Sequence, residues 1–381
     1  MVLFPWLVAV YLQESAVRVG IAQMTAQLPM LLLILVGGWL GDRVDQRKLL
    51  IGLNAAMAFP PLVVCLLFQL DYFSYSLLIV WALVGGTFAA FVQPARDALL
   101  NRVAQGEVQR VVTLSVGVQF GVQIIGFGLG STADILGPES LLLTMAVFML
   151  AASISVSRIP PFEAGQAATS DPPWVAIRAG LQQAWHHDAI RPAIFQSFSV
   201  GIFFAGAYMV LLPLMVRDLY GGGSLAMAGT FAANMAGTVL VTALLIRRGP
   251  VLRPGRTLLV GAGVSALVLS LLYLDLSQPA FYAVVFLWGC CGGIGMTMSR
   301  TIVQEAAPEA FRARVMSVYA LGLMGGMPIG SYSIGVAIEY WGAQQAVWLP
   351  VIGMLVVLLY LGLRSKLWWV ESALPTQTQS S

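Results

Sequence analysis

The residues that could do chemistry in this chain are charged side chains at the ends of long apolar runs. The stretch GWLGDRVDQRK, which begins at Gly38, holds five charges, with Asp42 and Arg43 in its middle and the pair Arg47 and Lys48 at its end. Charges are costly in hydrocarbon, and Lys and Arg are retained on the cytoplasmic side of a membrane. The stretch is therefore predicted to be a cytoplasmic loop whose chemistry is ion pairing.

Two further charged clusters lie at the ends of later apolar runs. Arg96 and Asp97 close one run, and Arg312 and Arg314 open another. If the spans alternate in direction, all three clusters share the cytoplasmic side, where Asp42 could pair with Arg96 and approach the positive end of the helix that begins near Arg314. If such contacts were present in only one conformational state, they would shift the equilibrium between states. The alternative is a basic loop that only fixes topology.

Polar side chains inside the apolar runs are candidates for a substrate cavity. Gln23 and Gln27 lie four residues apart, and two other glutamines repeat that spacing, so each pair shares one helix face. Amides are tolerated in a membrane where they face other helices or water, and interhelical hydrogen bonds are the alternative role. The predicted cavity residues are Gln23, Gln27, Gln119, Gln123, Gln196, Tyr208 and Asn234.

The composition is that of a polytopic membrane protein. Hydrophobic residues make up 59% of the 381 residues and charged residues 10%, which is too little polar surface for a soluble domain. The three cysteines fall in apolar runs, so neither a disulfide framework nor a metal site is expected. The sequence has no glycine-rich phosphate loop with its lysine, so we do not expect an ATP-driven pump. It has no paired catalytic side chains at membrane depth, so we expect no enzyme, and we expect no cofactor. Membrane orientation explains the net charge of +3 better than nucleic-acid binding does.

Eleven apolar runs meet or approach the roughly 20 residues that a spanning helix needs. The stretch 1–12 is about half that length, and we interpret it as the second half of a first helix that begins upstream of Met1. With this numbering only Arg18 and Arg217, of 20 Lys and Arg residues, fall on the outer side, which predicts that both termini are cytoplasmic. The predicted full spans are 19–41, 49–70, 75–92, 111–136, 141–156, 195–216, 226–246, 258–274, 280–298, 315–341 and 346–363.

The chain is predicted to contain two similar halves of six helices, a parallel repeat. Glu107, Arg110, Ser115 and Gly128 recur 202 residues later as Glu309, Arg312, Ser317 and Gly330. The predicted bounds are an N-terminal bundle over 1–156, a cytoplasmic linker with an amphipathic helix over 157–192, a C-terminal bundle over 193–366 and a disordered cytoplasmic tail over 367–381.

Three of these segments resemble segments of the major facilitator superfamily. The stretch at Gly38 resembles the loop between the second and third helices of that superfamily, with Asp45 where the pattern usually has glycine. The stretch FVQPARDALL, over 91–100, resembles the Pro-Ala-Arg segment of an exporter branch that includes enterobactin-exporter-like and drug-efflux proteins. The stretch RARVMS, over 312–317, resembles the entry to the eleventh helix in the same branch.

The resemblance implies two six-helix halves in a bacterial inner membrane and secondary active transport by alternating access. It also implies that the three charged clusters form a cytoplasmic gate, whose contacts hold the halves together while the cavity opens outward and break when it opens inward. It favours export of a small amphipathic organic molecule, siderophore-like or drug-like, by a monomer in the lipid bilayer, with protons as a candidate coupling ion. Uptake, movement of a lysophospholipid and a non-transporting membrane sensor are the alternatives.

Overall fold

The computed structural model describes residues 2–103, 108–160, 173–249, 251–308 and 311–372. Every regular element in these residues is helical, which confirms the predicted all-α fold class. Helix α1 comprises Leu3–Trp6 and its π-helical continuation Leu7–Tyr11, and is followed by α2 (Ala16–Arg43), α3 (Gln46–Gln69), α4 (Tyr75–Val103), α5 (Val108–Gly130), α6 (Ala133–Ser157), α7 (Pro173–His186), α8 (Ile190–Tyr220), α9 (Ser224–Arg248), α10 (Pro254–Tyr273), α11 (Gln278–Ala306), α12 (Arg312–Trp341) and α13 (Ala343–Arg364).

Ten of these helices are long and apolar enough to cross a membrane, and α5 adds an apolar stretch over Gly121–Gly130. The protein is therefore a multi-pass membrane protein. Helices α4 and α11 continue past the predicted span ends at Val92 and Met298, to Val103 and Ala306. The apolar run measures only the hydrocarbon layer, whereas a helix can continue into the interface, where its charged side chains are hydrated.

The predicted fifth span, which ended at Leu136, is too long. Helix α5 ends at Gly130 because the hydroxyls of Ser131 and Thr132 each donate to a carbonyl of the last turn, at 2.7 Å. The chain then starts α6, which is kinked at Gly137 with φ +75°, immediately before Pro138. This turn is built from apolar and small residues, so hydropathy alone did not mark it.

The chain forms two compact units. Unit 1 comprises Met1–Pro173, Tyr208–Phe231 and Ser331–Glu339, and unit 2 comprises the rest. The predicted bundles followed the sequence repeat, whereas the units follow contacts. The two divisions differ because 208–231 and 331–339, which belong to the second repeat, pack in unit 1. The repeat-based bounds stay a prediction.

Small residues bring α2 and α4 together in unit 1. A Cβ added at Gly37 would overlap the carbonyl oxygen of Ala90, and one added at Gly86 would overlap that of Ala26. Backbones can approach this closely only where a side chain is missing, which is the usual role of small residues in membrane helix packing. Helices α3 and α6 are joined by a hydrogen bond from the Ser153 hydroxyl to the carbonyl of Ile51, at 2.9 Å.

Helix α8 is not a uniform α-helix. Two π-helical segments, Gly201–Ala205 and Ala207–Leu211, interrupt it before the final α-helical stretch Leu212–Tyr220. Such segments are rare and are frequent at functional sites. The boundary between the two units, at Ala207 and Tyr208, falls inside the second of them.

The start of the predicted disordered tail is packed. The backbone of Leu367 lies against Gly255 so closely that a Cβ on this glycine would overlap the Leu367 carbonyl oxygen. The Arg256 guanidinium lies 5.2 Å from the centre of the Trp368 ring, and the Ser372 hydroxyl donates to Glu305 at 2.8 Å. Residues 367–372 are therefore part of unit 2, and the remainder of the predicted tail lies outside the described residues.

Candidate functional site

The first predicted gating cluster lies at the end of α2. Gly38, Asp42 and Arg43 fall in its last turns, and their surroundings lie outside the described residues, so the predicted pairing with Arg96 stays a prediction. In the structure, Nη2 of Arg96 lies 3.5 Å from Oδ1 of its neighbour Asp97, and both side chains are about half exposed. An exposed pair of this kind contributes at most about 1 kcal/mol, so it leaves Arg96 available to a stronger partner.

Asp45, which departs from the usual glycine, is the N-cap of α3. Its Oδ1 accepts hydrogen bonds from the backbone N–H groups of Arg47, at 3.0 Å, and Lys48, at 3.3 Å. Aspartate and glycine are both accepted N-caps, since aspartate bonds the free N–H groups and glycine leaves them open to water. The departure therefore preserves the helix start.

This cap gives a testable expectation for position 45. Asp45→Gly should lower stability by only a few tenths of a kcal/mol, whereas Asp45→Leu should cost about 1 kcal/mol, because leucine neither bonds nor leaves room for water at the free N–H groups. Thermal unfolding of the detergent-solubilised protein measures both. Equal melting temperatures for the two variants would contradict the capping role.

Arg47 holds two helices of unit 1 together. Its Nη2 donates to the carbonyl oxygen of Ser157, the last residue of α6, and a cation at a helix C-terminus also interacts favourably with the dipole. The Lys48 side chain is exposed. The described contacts of this predicted gating pair therefore lie within the first half of the chain.

The second gating cluster lies at the start of α12 in unit 2. Nε of Arg312 is buried and has no hydrogen-bond partner among the described residues, and Glu309, which the repeat places beside it, lies outside them. The Arg314 guanidinium lies 5.7 Å from the centre of the Phe311 ring. The Arg314 carbonyl meets Gly180 of α7, where an added Cβ would lie 2.7 Å away.

The predicted cavity residues divide between the two units. In unit 1, Gln23 is 4% exposed and its Nε2 finds no partner in the described chain, while Nε2 of Gln27 donates to the hydroxyl of Ser331 at 3.4 Å. On α5, Gln119 is exposed and Gln123 half-buried.

The remaining predicted cavity residues lie on α8 and α9. Tyr208 packs against Phe231 in unit 1, with ring centroids 5.0 Å apart. In unit 2, Gln196 is 1% exposed, and Nδ2 of Asn234 donates to the carbonyl of Val285 at 3.3 Å. Asn234 thus makes the interhelical hydrogen bond that was its alternative role.

The structure shows a polar cluster that the sequence did not predict, in which helix ends in unit 1 are capped by distant residues. The Asp134 carboxylate at the start of α6 accepts from Nε1 of Trp6, at 2.9 Å, and from the backbone N–H of Ser224, the first residue of α9. In return the Ser224 hydroxyl accepts from the N–H of Asp134, at 3.2 Å, and donates to the carbonyl of Ser131. Two helix N-termini therefore cap each other.

Two more caps lie at helix ends on the same side. Nη1 of Arg217 donates to the carbonyls of Ala9, at 3.1 Å, and Glu14, at 2.7 Å, just where α1 ends. The Glu339 carboxylate accepts from the N–H of Val17, at 3.3 Å, in the first turn of α2. We call the three contacts, Asp134 with Ser224, Arg217 with Ala9 and Glu14, and Glu339 with Val17, the cap cluster.

Close backbone packing accompanies the cap cluster. A Cβ added at Gly20 would lie 2.6 Å from the Ser331 carbonyl oxygen and 3.2 Å from Cα of Gly335, and one added at Gly335 would lie 2.6 Å from the Ala16 carbonyl oxygen. Helices α2 and α12 therefore touch backbone to backbone in unit 1. This contact lies between the Glu339 cap and the Gln27–Ser331 hydrogen bond.

The cap cluster has the strength of a reversible contact. An N-cap contributes about 1 kcal/mol and a cation at a helix C-terminus up to about the same, so the three contacts contribute about 3 kcal/mol, a factor of somewhat more than 100 in an equilibrium constant. That is enough to favour one arrangement of helix ends clearly, but small against the energy that holds each helix bundle together.

Comparison with known proteins decides the family. The family model described as Major Facilitator Superfamily matches residues 1–331 and, in a second match, residues 252–377. The chain belongs to the Major Facilitator Superfamily. It is a transporter by family, which agrees with the resemblance seen in the sequence, although the match does not assign it to the exporter branch.

Solved structures of this superfamily share the fold. The nucleoside transporter NupG is 12% identical with a TM-score of 0.73, and the alignment covers 95% of this chain and 95% of that one. A D-xylose–proton symporter is also 12% identical, with a TM-score of 0.70 and 94% of each chain covered. Identities this low show the superfamily fold alone. A comparison with curated protein sequences gives no match.

The cap cluster of this superfamily member was not predicted from the sequence, although its charged side chains were visible there. Asp134 and Glu339 were visible as carboxylates near outer helix ends, and Arg217 as one of two arginines on the outer side. Apart from the Trp6 indole, however, their partners in the cap cluster are backbone groups up to 322 residues away. A backbone N–H carries no sequence signature, so the only available signal was a charge on the side where charges are scarce.

Proposed function

We propose that this protein exports a small amphipathic organic molecule by alternating access, as a monomeric secondary active transporter with protons as the coupling ion. The cap cluster is the observation that carries this proposal. Within unit 1 it joins the segments 208–231 and 331–339 to the first half of the chain through helix-end caps. Water can replace a cap without unfolding its helix, so such contacts can form in one access state and open in the other.

The polar groups inside the spans support a neutral or amphipathic substrate. Gln23 and Gln27 each have one buried polar atom without a partner in the described residues, Nε2 and Oε1 respectively. Buried polar groups normally find partners, so these two can bond a substrate or ordered water. None of the seventeen acidic residues lies in the middle of an apolar run, and the amides suit organic solutes better than phosphates or simple ions.

Uptake is the second candidate, and it rests on analogy with structures that share the fold. The similar structures named above are a nucleoside transporter and a D-xylose–proton symporter. At 12% identity they show the fold alone, so a polar substrate that moves together with a proton is an analogy.

Flux in proteoliposomes tests the proposed function. The purified full chain would be reconstituted, a pH gradient imposed in either direction, and the movement of a catecholate siderophore, a lipophilic dye, a nucleoside and D-xylose compared with that in protein-free liposomes. We expect gradient-dependent movement of the siderophore or the dye. Movement of the nucleoside or sugar alone would contradict the amphipathic substrate, movement of any solute in the same direction as protons would favour uptake, and a compound that binds the protein without ever crossing would contradict transport.

The predicted cytoplasmic gate has its own test. Asp42→Asn should slow flux and increase labelling of cysteines introduced on the cytoplasmic side, because a carboxylate that favours one access state is lost. Expression should not change. Asp71→Asn is a matched control, since Asp71 lies between α3 and α4 at the opposite ends of the helices. Unchanged labelling in Asp42→Asn would remove the gating role of that residue.

A further inference from the structure

Unit 2 contains a cavity of about 690 Å³ beside the linker helix α7. Its walls come from four helices, with Trp185 from α7, Phe195 and Phe198 from α8, Leu321 from α12 and Tyr360 from α13. The volume falls in the roughly 300–1,000 Å³ range of small-molecule sites. Most of the wall is apolar, so the cavity suits a ligand with a substantial hydrocarbon part.

Two guanidinium groups line the same cavity. Arg191 lies in the first turn of α8 and Arg364 is the last residue of α13, and both side chains are exposed. Neither forms an ion pair or side-chain hydrogen bond in the part of the chain that the structure describes. Arg191 is, however, close enough to Asp188 to act on it electrostatically.

The nearby acidic group is already paired. Nζ of Lys366 donates to Oδ2 of Asp188 at 2.7 Å, and this bond holds the pKa of the Asp188 carboxyl below its usual value. Asp188 is therefore ionised at neutral pH and its charge is offset by Lys366. The charges around the cavity are then three cations, Arg191, Arg364 and Lys366, against one anion, which leaves a net charge of +2 for a ligand to balance.

The position of Arg191 and Arg364 along the membrane normal is that of the lipid headgroups, where an anionic group would lie. They stand at the ends of membrane-length helices, over Ile190–Tyr220 and Ala343–Arg364, where headgroups lie. At 1.5 Å per residue, Phe198 lies about 10 Å deeper than Arg191 and Tyr360 about 6 Å deeper than Arg364. The cavity is thus cationic at the headgroup level and apolar below it. Basic pockets between spanning helices are known to hold anionic lipid headgroups.

We propose that this cavity binds a phospholipid with an anionic headgroup, its phosphate between Arg191 and Arg364 and an acyl chain along Phe198 and Tyr360. Arginine presents paired N–H groups that suit phosphate oxygens. The bound lipid joins the linker helix α7 to α8 and α13. The proposal does not depend on transport, because it concerns binding at a site inside unit 2.

Native mass spectrometry of the delipidated full chain tests the proposal. The probe is dioctanoyl phosphatidylglycerol, compared with dioctanoyl phosphatidylcholine and inorganic phosphate. We expect retention of the anionic lipid to fall about 30-fold in the double variant Arg191→Gln/Arg364→Gln, since each arginine near an anionic lipid contributes about 1 kcal/mol and 1.4 kcal/mol is tenfold. The matched control is Arg247→Gln/Arg248→Gln, which removes two exposed arginines of unit 2 that do not line the cavity.

Each other outcome would overturn the proposal. Equal retention of the zwitterionic lipid would mean an apolar groove without headgroup recognition. Displacement of phosphatidylglycerol by equimolar phosphate would mean a small-anion site. An equal loss in the control variant would mean a general effect of surface charge. Gel filtration before each measurement establishes that both double variants are folded.

Discussion

Asp134→Ala is expected to raise the labelling rate of Ser331→Cys by an impermeant maleimide about thirtyfold. Ser331 is fully buried in unit 1 beside the cap cluster. Without the Asp134 carboxylate, the Trp6 indole N–H and the Ser224 backbone N–H lose their acceptor, and these residues are 3% and 0% exposed. A buried donor without a partner costs about 1–3 kcal/mol, so about 2 kcal/mol in total is a conservative loss. An arrangement in which these helix ends separate lets water bond both N–H groups, so the variant favours it over the closed arrangement more than the parent does.

The measurement requires a background in which Cys65, Cys290 and Cys291 are replaced by alanine. Asp275→Ala is the matched control, because Asp275 is exposed, lies in unit 2 and accepts a hydrogen bond from Gln344 at 2.6 Å. Asp134→Asn should have a smaller effect, since its amide keeps one acceptor oxygen. Equal labelling of Asp134→Ala and its parent would remove the capping contact from the proposed mechanism.

Gly20→Leu is expected to open the same end of unit 1 and to stop transport. Its Cβ would lie 2.6 Å from the Ser331 carbonyl oxygen and 3.2 Å from Cα of Gly335. Both are backbone atoms, which cannot rotate away as a side chain would, so α2 and α12 must separate. Overpacking typically costs 1–3 kcal/mol, which approaches or equals the whole contribution of about 3 kcal/mol from the cap cluster. Labelling of Ser331→Cys should therefore increase and flux should fall.

Gly52→Leu is the control for this second prediction. Gly52 is exposed on α3, and a Cβ added there meets no atom within 4 Å, so leucine should be accommodated with flux and melting temperature nearly unchanged. Gly335→Ala adds only a methyl group to the same contact and should have an intermediate effect. Normal flux in Gly20→Leu would show that the close approach of α2 and α12 is dispensable for transport.

Much of this fold could be read from the sequence because the membrane imposes strong rules. Hydropathy predicted the spans, since each must cross a hydrocarbon layer of fixed thickness. It failed before Leu136, where Ser131 and Thr132 form a turn between two helices, and at Val92 and Met298, where helices continue as charged extensions. Hydropathy reports the preference of a side chain for hydrocarbon or water, and it carries no information on the hydrogen bonding of the backbone.

The candidate site was predicted less well than the fold. Asp45 was recognised as a departure from the superfamily pattern, but its role as an N-cap depends on the N–H groups of Arg47 and Lys48 in a helix whose exact start the sequence did not fix. Asn234 was grouped with the cavity residues, and its bond to Val285 required knowing which face of α9 meets α11.

The sequence by itself determined that this chain is a multi-pass helical protein with charged helix ends, because burial in lipid and charge at the interface are properties of each segment alone. Only the tertiary structure decided which ends cap one another. The carboxylates of Asp134 and Glu339 could satisfy any exposed N–H nearby, and the choice of Ser224 and Val17 follows from helix packing within unit 1. The cavity beneath Arg191 and Arg364 arose the same way, because the consecutive helices α7 and α8 pack against the consecutive helices α12 and α13, more than 90 residues away in sequence.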